Sequence, residues 1–433
     1  MDYAAFTPWM VYKALSTLKT TASGIDEIPY WFFKGAAPFL AEPLSYLYSL
    51  SLEEMHVPTQ WKIAKIRPIP KVNKPENCSD FRPISLTPIL SRLLEKLIVR
   101  QYFYPLLVQP TLFPLLHDQT AFRPTGSTTA ALISLLHPVS KLLTDNQYVH
   151  VIALDFSKAF DSISHAPLLQ KLSNYQLPDQ AYNWTRNFLT ERAHVTSHND
   201  QLSTTATITA SVIQGSALGP VAYIINSSDL RPLHAENLLL KYADDTYLIV
   251  PASNTHTINS EIDNVHSWAN KNNLKLNLLK TKEIVITRPR STVALPTPLP
   301  NLPRVTSMNI LGVTLSSKLK FDEHVNSVVS SCHQHMYALK ILKAKGLTGR
   351  ALNQVSNAYL VNRITYALPA WWGFTTSAER TKLQSVLNKA SRWGLDGGIV
   401  FPTIELTAEA MQRKLFANIL ANQTHVLHHL LPP

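Results

Sequence analysis

The sequence "LLLKYADDTYLIV", residues 238–250, places two adjacent carboxylates, Asp244 and Asp245, inside an apolar and aromatic run. This run predicts a β-hairpin with Ala243 and Asp244 at the turn. One aspartate suits a turn, because its side chain hydrogen-bonds the nearby backbone. The second would enter the strand and repel the first, and burying unpaired carboxylates is costly. A bound divalent cation, which neutralises both groups, explains the pair better than the turn alone.

A third carboxylate, Asp155, closes the apolar run "YVHVIAL" (148–154), which predicts a buried strand. Three carboxylates at neighbouring strand ends can hold two Mg²⁺ ions about 3.5–4 Å apart, an arrangement that serves phosphoryl transfer. The order of these aspartates along the chain does not by itself define a class of protein.

The composition indicates a globular protein with a polyanionic partner. The 433 residues are 45% hydrophobic, and no long uninterrupted apolar run occurs, so we expect no membrane association. The two cysteines, Cys78 and Cys332, argue against a disulfide scaffold. A total of 40 Lys and Arg against 29 Asp and Glu gives a net charge of +11, which favours nucleic acid as the partner. The charge taken alone also fits a basic soluble protein without such a partner.

Three short motifs surround the aspartates in a fixed order: "LDFSKAFDSISH" (154–165), "QGSALGP" (214–220) and "YADD" (242–245). Together they resemble the reverse transcriptase of non-long-terminal-repeat (LINE-type) retrotransposons, and the resemblance is closest to the jockey-like elements of animals. Further segments resemble the finger and late palm motifs of that family: "SGIDEIP" (23–29), residues 61–86, "QTAFRPTGSTTAAL" (119–132), residues 274–286 and residues 311–325. The resemblance covers nearly the whole chain.

The resemblance implies an α+β fold of the right-hand polymerase type. Residues 1–147 would form the fingers with an N-terminal extension, and residues 148–318 the palm with an antiparallel sheet and the catalytic motifs. Residues 319–433 would form the helical thumb and the C-terminal region. The hydrophobic pattern agrees, because helices and Pro-rich pieces come first, strands mixed with helices follow, and a helical tail begins near Asp322.

The resemblance also assigns roles around the first aspartate. It implies that Asp155, Asp244 and Asp245 are catalytic and bind two Mg²⁺ ions, with Mn²⁺ as an alternative, and that the backbone carbonyl of Phe156 is a further metal ligand. Phe160 would occupy the space that a ribose 2′-hydroxyl needs, and would so select deoxyribonucleotides. A helix residue packed in the core is the other interpretation of Phe160.

The motif that opens with Gln214 predicts a loop leading into a helix. By resemblance, Gln214 contacts the incoming dNTP, and Gly215 and Ser216 contact the primer or the template. A glycine lets the backbone approach a ligand without a Cβ in the way. The family usually has proline before the glutamine, where this chain has Ile213. A flexible strand-to-helix connection is the alternative interpretation.

Four cations or aromatic residues elsewhere match family positions at the dNTP or the primer. Lys71 and Arg82 would grip the triphosphate, although a basic face that binds the template backbone is the alternative. Lys280 would donate a proton near the leaving pyrophosphate, with Lys282 as a rival and a plain surface charge as a third interpretation. Tyr242 would lie against the primer end, or pack in the core.

Two features of the helical tail have simpler explanations than a ligand site. Trp371, Trp372 and Trp393 lie among basic residues, which suits a nucleic-acid groove, but we expect most of them in the helix core. The sequence "CHQH" (332–335) offers one cysteine and two histidines without a second pair, so we expect no zinc.

These observations predict an RNA-directed DNA polymerase that adds dNTPs to a DNA primer on an RNA template. An RNA-dependent RNA polymerase shares the palm but typically has Gly before the aspartates and no aromatic gate, so Ala243 and Phe160 argue against it. A nucleic-acid-binding remnant without activity is an alternative, as is an enzyme of the group II intron or telomerase type.

The family context adds two expectations. Neither an upstream endonuclease nor a downstream Cys/His cluster accompanies the polymerase motifs, so we expect a truncated element protein that depends on a separate or upstream endonuclease. From the family alone, we expect a location in the nucleus, and in the cytoplasm as a ribonucleoprotein.

Overall fold

The computed structural model describes residues 5–432 except 200, 209, 214 and 301. The chain forms two compact units, each assembled from separate stretches. Unit I comprises Met1–His117, Phe156–Arg231 and Val265–Leu276, and unit II comprises Asp118–Asp155, Pro232–Asn264 and Asn277–Pro433. Within the described ranges, no helix is both long and apolar enough to cross a lipid bilayer.

Unit II is built on a four-stranded antiparallel sheet. Its strands lie side by side in the order Lys282–Thr287, Tyr148–Leu154, Asp245–Pro251 and Leu238–Tyr242. The last two strands form the predicted hairpin, which we call the aspartate hairpin (Leu238–Pro251). Branched and aromatic residues dominate these strands, and such side chains pack well on a pleated surface.

One face of this sheet contributes to the main core of unit II. Val151, Ile249 and Ile284 are fully buried there, in a cluster that includes Leu135 and Val139 of helix Thr128–Asp145. Alternate residues of a strand point to opposite faces, so this periodicity selects which side chains join the helices.

The rest of unit II consists of a small hairpin and the C-terminal helices. The hairpin strands are Ser307–Ile310 and Val313–Ser316. Helix Ile258–Lys271 begins in unit II and ends in unit I. The other helices are Asp322–Ala344, Gly349–Ser356, Asn362–Ile364, Leu368–Trp371, Ser377–Arg392 and Ile404–Ala421, with single turns at Ala252–Thr257, Asn357–Val361, Trp372–Phe374 and His428–Leu430.

Unit I contains a mixed sheet and a layer of helices. The strands lie in the order Phe81–Leu86, Ile63–Pro70, Arg192–His198 and Gln201–Leu202, and Ala206–Ile208 also pairs with Arg192–His198. Phe156–Ser157 pairs separately with Lys275–Leu276. The helices are Pro8–Ser16, Tyr30–Gly35, Ala37–Glu53, Ile89–Ile98, Tyr104–Leu107, Phe113–Leu116, Ala159–Ser162, His165–Ser173, Asp179–Leu189 and Leu218–Asn226, with short turns at Thr59–Lys62, Cys78–Asp80, Val99–Phe103 and Pro110–Leu112.

The local structure predicted around the motifs is confirmed. The strand before Asp155, the aspartate hairpin and the helix that follows the QGSALGP loop all form. The Pro-rich stretch 288–305 contains no regular helix or strand among its described residues. The division into fingers, palm and thumb at residues 147 and 318 stays a prediction.

Candidate active site

The three aspartates come together at one end of the sheet of unit II. Leu154 pairs with Thr246, so the same register extended by one residue places Asp155 opposite Asp245. Directly opposed residues of an antiparallel pair have Cβ atoms about 4.5–5.5 Å apart. Asp244 precedes Asp245 at the turn, and its pKa responds to the charge of Asp155. Residues far apart in the sequence thus form one carboxylate cluster.

The turn that carries this cluster is strained. Tyr242 pairs with Asp245, which leaves Ala243 and Asp244 as the two residues that reverse the chain. Ala243 adopts the left-handed conformation with φ of 56°. A residue with a Cβ pays about 1 kcal/mol or more there, which is why glycine or asparagine is usual at such a position. The strain lies immediately before the two aspartates.

The carboxylates of the cluster disfavour one another's ionisation. The pKa of Asp245 is raised to about 6, first by desolvation and then by the charges of Asp244 and Asp155. Desolvation and the charge of Asp155 also raise the pKa of Asp244, against a hydrogen bond from its own backbone. The Asp245 side chain reaches solvent, yet enough protein surrounds it for desolvation to dominate. A bound cation would relieve all of these effects.

The donor chemistry of the cluster fits a divalent cation. Carboxylate oxygens are the ligands that Mg²⁺ and Mn²⁺ prefer. As the side chains stand, no three His, Cys, Asp or Glu residues in the described part of the chain are close enough together to hold a metal ion. Like charges repel, and a cation at a common point would offset that repulsion between these carboxylates. A cation there would favour the ionised forms of Asp244 and Asp245, whose pKa values are raised in its absence.

Phe156 follows the first aspartate and belongs to unit I. It pairs with Leu276 in a two-residue ladder, and its buried ring contacts Trp268 edge-to-face with centroids 5.9 Å apart. The predicted role of its carbonyl as a metal ligand stays a prediction.

Lys280 lies in a turn that is bonded to the backbone of Asp155. The Asn277 N–H donates to the Asp155 carbonyl at 2.8 Å, and the Lys280 N–H donates to the Asn277 carbonyl at 3.1 Å. Thr281, which is fully buried, reinforces this turn by donating its hydroxyl to the Asn277 carbonyl at 2.9 Å. The side chains of Lys280 and Lys282 are both exposed, so the structure does not separate the two candidates.

Tyr242, the last residue before the turn, is half-buried rather than part of the core. Its pKa is raised first by desolvation and then by Tyr366 and Asp245. A half-buried side chain is compatible with the predicted contact to a primer end.

In unit I, Phe160 is held by an aromatic neighbour. It stacks on Tyr223, with ring centroids 4.6 Å apart and 28° between the planes. Tyr223 is fully buried, whereas Phe160 is half-buried. The Val212 N–H donates to the Phe160 carbonyl at 2.8 Å, which ties the residue to the chain just before the QGSALGP loop. Phe160 is therefore a fixed ring with accessible surface, and not a fully buried core residue.

The QGSALGP loop makes close contacts within unit I. Gly215 has a φ of 114°, and a Cβ on it would come within 2.8 Å of the Ser85 carbonyl oxygen. The Ser216 hydroxyl accepts a hydrogen bond from the Gly219 N–H at 2.8 Å. The Ser216 hydroxyl therefore satisfies one N–H group in the first turn of helix Leu218–Asn226, a structural role that its predicted contact with primer or template did not include. Gln214 lies outside the described residues.

Glu95 supports the same loop, and sequence analysis gave it no role. Its fully buried carboxylate accepts hydrogen bonds from the Ala217 N–H at 3.0 Å and the Leu218 N–H at 3.5 Å. Desolvation raises its pKa, against the nearby charge of Arg192 and these N–H groups. The signal was present, since a glutamate at this position of helix Ile89–Ile98 falls on the buried side with Leu94 and Ile98, where it must find partners.

Lys71 directly follows the strand Ile63–Pro70 of the unit I sheet, and Arg82 lies on the strand that pairs with it. A cavity of about 720 Å³ beside these two strands is lined by residues that include Lys71, Phe81, Pro83, Lys158 and Asp161. Phe81 and Pro83 flank Arg82, and alternate residues of a strand point to opposite faces. Arg82 is exposed and is not among the residues that line the cavity. The structure thus groups Lys71 with Lys158 rather than with Arg82.

The tryptophans of the helical tail divide as expected. Trp371 and Trp372 are buried in the core of unit II. Trp393 is partly exposed, with the ammonium groups of Lys340 and Lys389 at 4.3 and 5.0 Å from the centre of its ring.

A family model described as "Reverse transcriptase (RNA-dependent DNA polymerase)" matches residues 69–315, more than half of the chain. The chain therefore belongs to this family. Membership confirms the fold class predicted from the sequence, an α+β polymerase of the right-hand type. The matched segment includes the whole carboxylate cluster and the sheet that carries it.

The relatives of this chain are polymerases of mobile elements. It is 27% identical over 408 residues to the probable RNA-directed DNA polymerase from transposon BS of Drosophila melanogaster, covering 88% of this chain and 44% of the relative. It is 28% identical over 301 residues to the RNA-directed DNA polymerase from mobile element jockey of the same species, covering 66% of this chain and 32% of the relative. The predicted resemblance to jockey-like non-LTR elements is confirmed.

A third relative is the probable RNA-directed DNA polymerase from transposon X-element of Drosophila melanogaster, to which the chain is 26% identical, covering 81% of this chain and 39% of the relative. The chain thus spans less than half the length of each of these three curated relatives. A solved telomerase structure from Candida tropicalis aligns with 90% of this chain and 67% of its own length, at 14% identity and a TM-score of 0.46.

Proposed function

We propose that this chain catalyses RNA-directed DNA synthesis. The 3′-hydroxyl of a DNA primer paired to an RNA template attacks the α-phosphate of a dNTP, and pyrophosphate leaves. The observation that carries this proposal is that Asp155, Asp244 and Asp245 lie at one end of the paired strands, close enough to affect one another's pKa values, within the segment that matches the reverse transcriptase family. The net charge of +11 supports polyanionic substrates.

The carboxylate cluster would hold two Mg²⁺ ions, or Mn²⁺, through Asp155, Asp244 and Asp245, with the Phe156 carbonyl as a further oxygen donor. When bound, such ions activate the attacking hydroxyl and stabilise the charge on the leaving oxygen. The contribution of the chain would be positioning, because the pairing of Leu154 with Thr246 brings the following Asp155 and the preceding Asp245 to the same end of the sheet before any substrate arrives.

Phe160, Lys71 and Arg82 would select and hold the dNTP. Phe160 would contact the sugar, since its ring is fixed by Tyr223 and still accessible. Lys71 has the better support for the triphosphate, because it lines a cavity together with Lys158. Arg82 fits a template phosphate as well as it fits the dNTP.

The remaining assignments rest mainly on the family. Gln214 would contact the dNTP, Gly215 and Ser216 the primer or template, and Tyr242 the primer end. Lys280 would donate a proton to the leaving pyrophosphate from its turn beside the Asp155 backbone.

The cellular context is also a proposal. Residues 1–147, 148–318 and 319–433 would act as fingers, palm and thumb, and a separate or upstream endonuclease would supply the primer 3′-hydroxyl. The protein would act in the nucleus and be present in the cytoplasm as a ribonucleoprotein.

Primer extension tests this proposal. With Mg²⁺, dNTPs and a DNA primer annealed to RNA, the purified protein should extend the primer, and an Asp244→Ala, Asp245→Ala double variant should lose on the order of a hundredfold or more in rate. A matched control is Glu53→Ala with Glu54→Ala, which removes two adjacent carboxylates that are exposed in unit I. Equal rates for the wild type and the Asp244/Asp245 variant would contradict the proposal.

Nucleotide choice tests the role of Phe160 separately. Phe160→Ala should raise incorporation of ribonucleotides relative to deoxyribonucleotides, because the space for a 2′-hydroxyl opens. Phe39→Ala, which removes a ring that is 81% exposed, is the control and should leave this ratio unchanged. An unchanged ratio in Phe160→Ala would assign Phe160 to packing against Tyr223.

A further inference from the structure

A short segment of unit II runs along the outer edge of the aspartate hairpin. Gln119 forms an isolated parallel bridge with Lys241. The Lys241 N–H donates to the Asp118 carbonyl at 2.7 Å, and the Thr120 N–H donates to the Lys241 carbonyl at 3.0 Å. The Thr120 hydroxyl donates to the same carbonyl at 3.1 Å. We call residues Asp118–Ala121 the clamp segment.

A buried ion pair joins the clamp segment to the hairpin. The Lys241 ammonium lies 3.0 Å from the Asp118 carboxylate, and the two side chains are 1% and 3% exposed. Pairing is what makes two such charges tolerable in the interior, so the register between these two residues is strongly specified. The clamp segment therefore cannot slide along the strand.

Gln119 extends this attachment to the turn itself. Its side-chain oxygen accepts hydrogen bonds from the Ala243 N–H at 3.1 Å and from the Ala121 N–H at 3.0 Å. Two N–H donors fix the orientation of the amide, because only the oxygen can accept them. The side chain is 1% exposed, and its nitrogen has no hydrogen-bond partner among the described residues. The buried amide thus serves the turn as an acceptor.

The hydrogen bond from the Ala243 N–H to the Gln119 side chain lies at the strained residue of the hairpin. Ala243 has a φ of 56° and is followed directly by Asp244 and Asp245. Strained backbone persists only where its surroundings hold it, and a change of the turn would rotate both aspartates. Gln119 and the Asp118–Lys241 pair supply that restraint.

We propose that Gln119 is a positioning residue for the candidate active site, which fixes the left-handed Ala243 turn and so the direction of the two aspartates. The expected effect of Gln119 on kcat rests on the proposed function, whereas its effect on the Ala243 turn does not. Gln119 would touch neither the substrate nor the reacting atoms, and would act through the backbone of Ala243.

The kinetic test replaces Gln119 with methionine, which keeps the size of the side chain and removes the acceptor. We expect kcat for primer extension to fall about tenfold or more with KM for dNTP unchanged, because misplaced groups lose rate rather than uniform binding. Gln119→Met combined with Ala243→Gly should recover part of kcat, since glycine holds the left-handed conformation without strain.

The matched control is Asn237→Leu. Asn237 is a buried amide, 1% exposed, that precedes the other end of the same hairpin and donates to Thr257 and Glu261, each at 2.9 Å. This variant should lower stability and leave kcat unchanged. A kcat for Gln119→Met no lower than that for Asn237→Leu would overturn the proposal.

Amide hydrogen exchange gives a result that does not depend on catalysis. Gln119→Met should speed exchange of the Ala243 amide about fivefold or more, while Asn237→Leu should not. If the wild type fails to extend primers, the proposed function is wrong and exchange alone decides the inference. If Gln119→Met does not fold, Thr120→Val, which removes only one hydroxyl donor, should show the same changes at smaller size. Unchanged exchange at Ala243 would contradict the proposal in either variant.

Discussion

Two carboxylate sites on one sheet of unit II differ in what neutralises them. Glu283 is fully buried, with His150 at 2.6 Å from one carboxylate oxygen and Arg304 at 2.6 Å from the other. Burial raises its pKa, but these two partners outweigh burial, and the net pKa is lowered. At the end of the neighbouring strands, Asp244 and Asp245 have raised pKa values, and no cationic side chain of the described residues is among the causes.

This difference separates a structural carboxylate from a candidate catalytic one. Arg304 belongs to the Pro-rich stretch, and its pairing with Glu283 attaches that stretch to the sheet. The fold therefore supplies its own cation where a carboxylate serves the architecture. The aspartates at the hairpin are left with one another, which is unfavourable unless a cation comes from outside.

The largest change in the free energy of unfolding is expected at Glu283, the carboxylate that His150 and Arg304 neutralise. Glu283→Leu should lower the free energy of unfolding by about 3–5 kcal/mol, because it leaves the buried His150 and the partly buried Arg304 without their carboxylate. Urea denaturation measures this loss.

A surface pair provides the control for Glu283. Glu409→Gln removes one partner of an exposed pair with Arg413 at 3.6 Å, and should change the free energy of unfolding by less than about 0.5 kcal/mol. A loss at Glu283 as small as the loss at Glu409 would contradict the structural assignment.

A smaller loss of stability is expected at Glu95, whose carboxylate accepts hydrogen bonds from backbone N–H groups. Glu95→Ala should lower the free energy of unfolding by about 1–3 kcal/mol, since the Ala217 and Leu218 N–H groups lose their acceptor in a buried place. Glu95→Gln keeps an acceptor oxygen and should lose less. Urea denaturation of both variants checks the order, and equal losses would show that hydrogen bonding to the loop is not what Glu95 provides.

The smallest expected change, at Asp245, is a gain in stability where the changes at Glu283 and Glu95 are losses. In the absence of divalent ions, Asp245→Asn should raise stability at pH 7–8 by up to about 1 kcal/mol, because it removes a charge from the cluster. The folded-state pKa of about 6 lies above that of an unfolded aspartate, so the folded wild type binds more protons between those values and loses stability as pH rises through that window.

Thermal unfolding with EDTA from pH 4 to pH 8 checks this sign. The advantage of Asp245→Asn should shrink as the pH falls below about 6, where the wild-type carboxyl is protonated. A variant that is less stable than the wild type at pH 8 would mean that a cation of the chain already neutralises Asp245.

The sequence predicted the parts of this site that local pattern determines. Alternation and the turn located the aspartate hairpin, and the apolar run before Asp155 located its neighbour strand. Gln119 and Ala243 are 124 residues apart, and no periodicity links them. His150 and Glu283 are 133 residues apart and meet only because their strands are adjacent. Contacts of this kind depend on which strands pair, and a single sequence does not contain that information locally.

Catalysis by this chain depends, in the proposed function, on a divalent-cation site formed by Asp155, Asp244 and Asp245. Titration of Mn²⁺ against the purified protein, with free Mn²⁺ followed by electron paramagnetic resonance, measures this directly. The wild type and the Glu53→Ala, Glu54→Ala control should bind Mn²⁺ alike, and a variant with asparagine at 155, 244 and 245 should lose that binding. Equal Mn²⁺ binding by the wild type and the triple asparagine variant would contradict the claim.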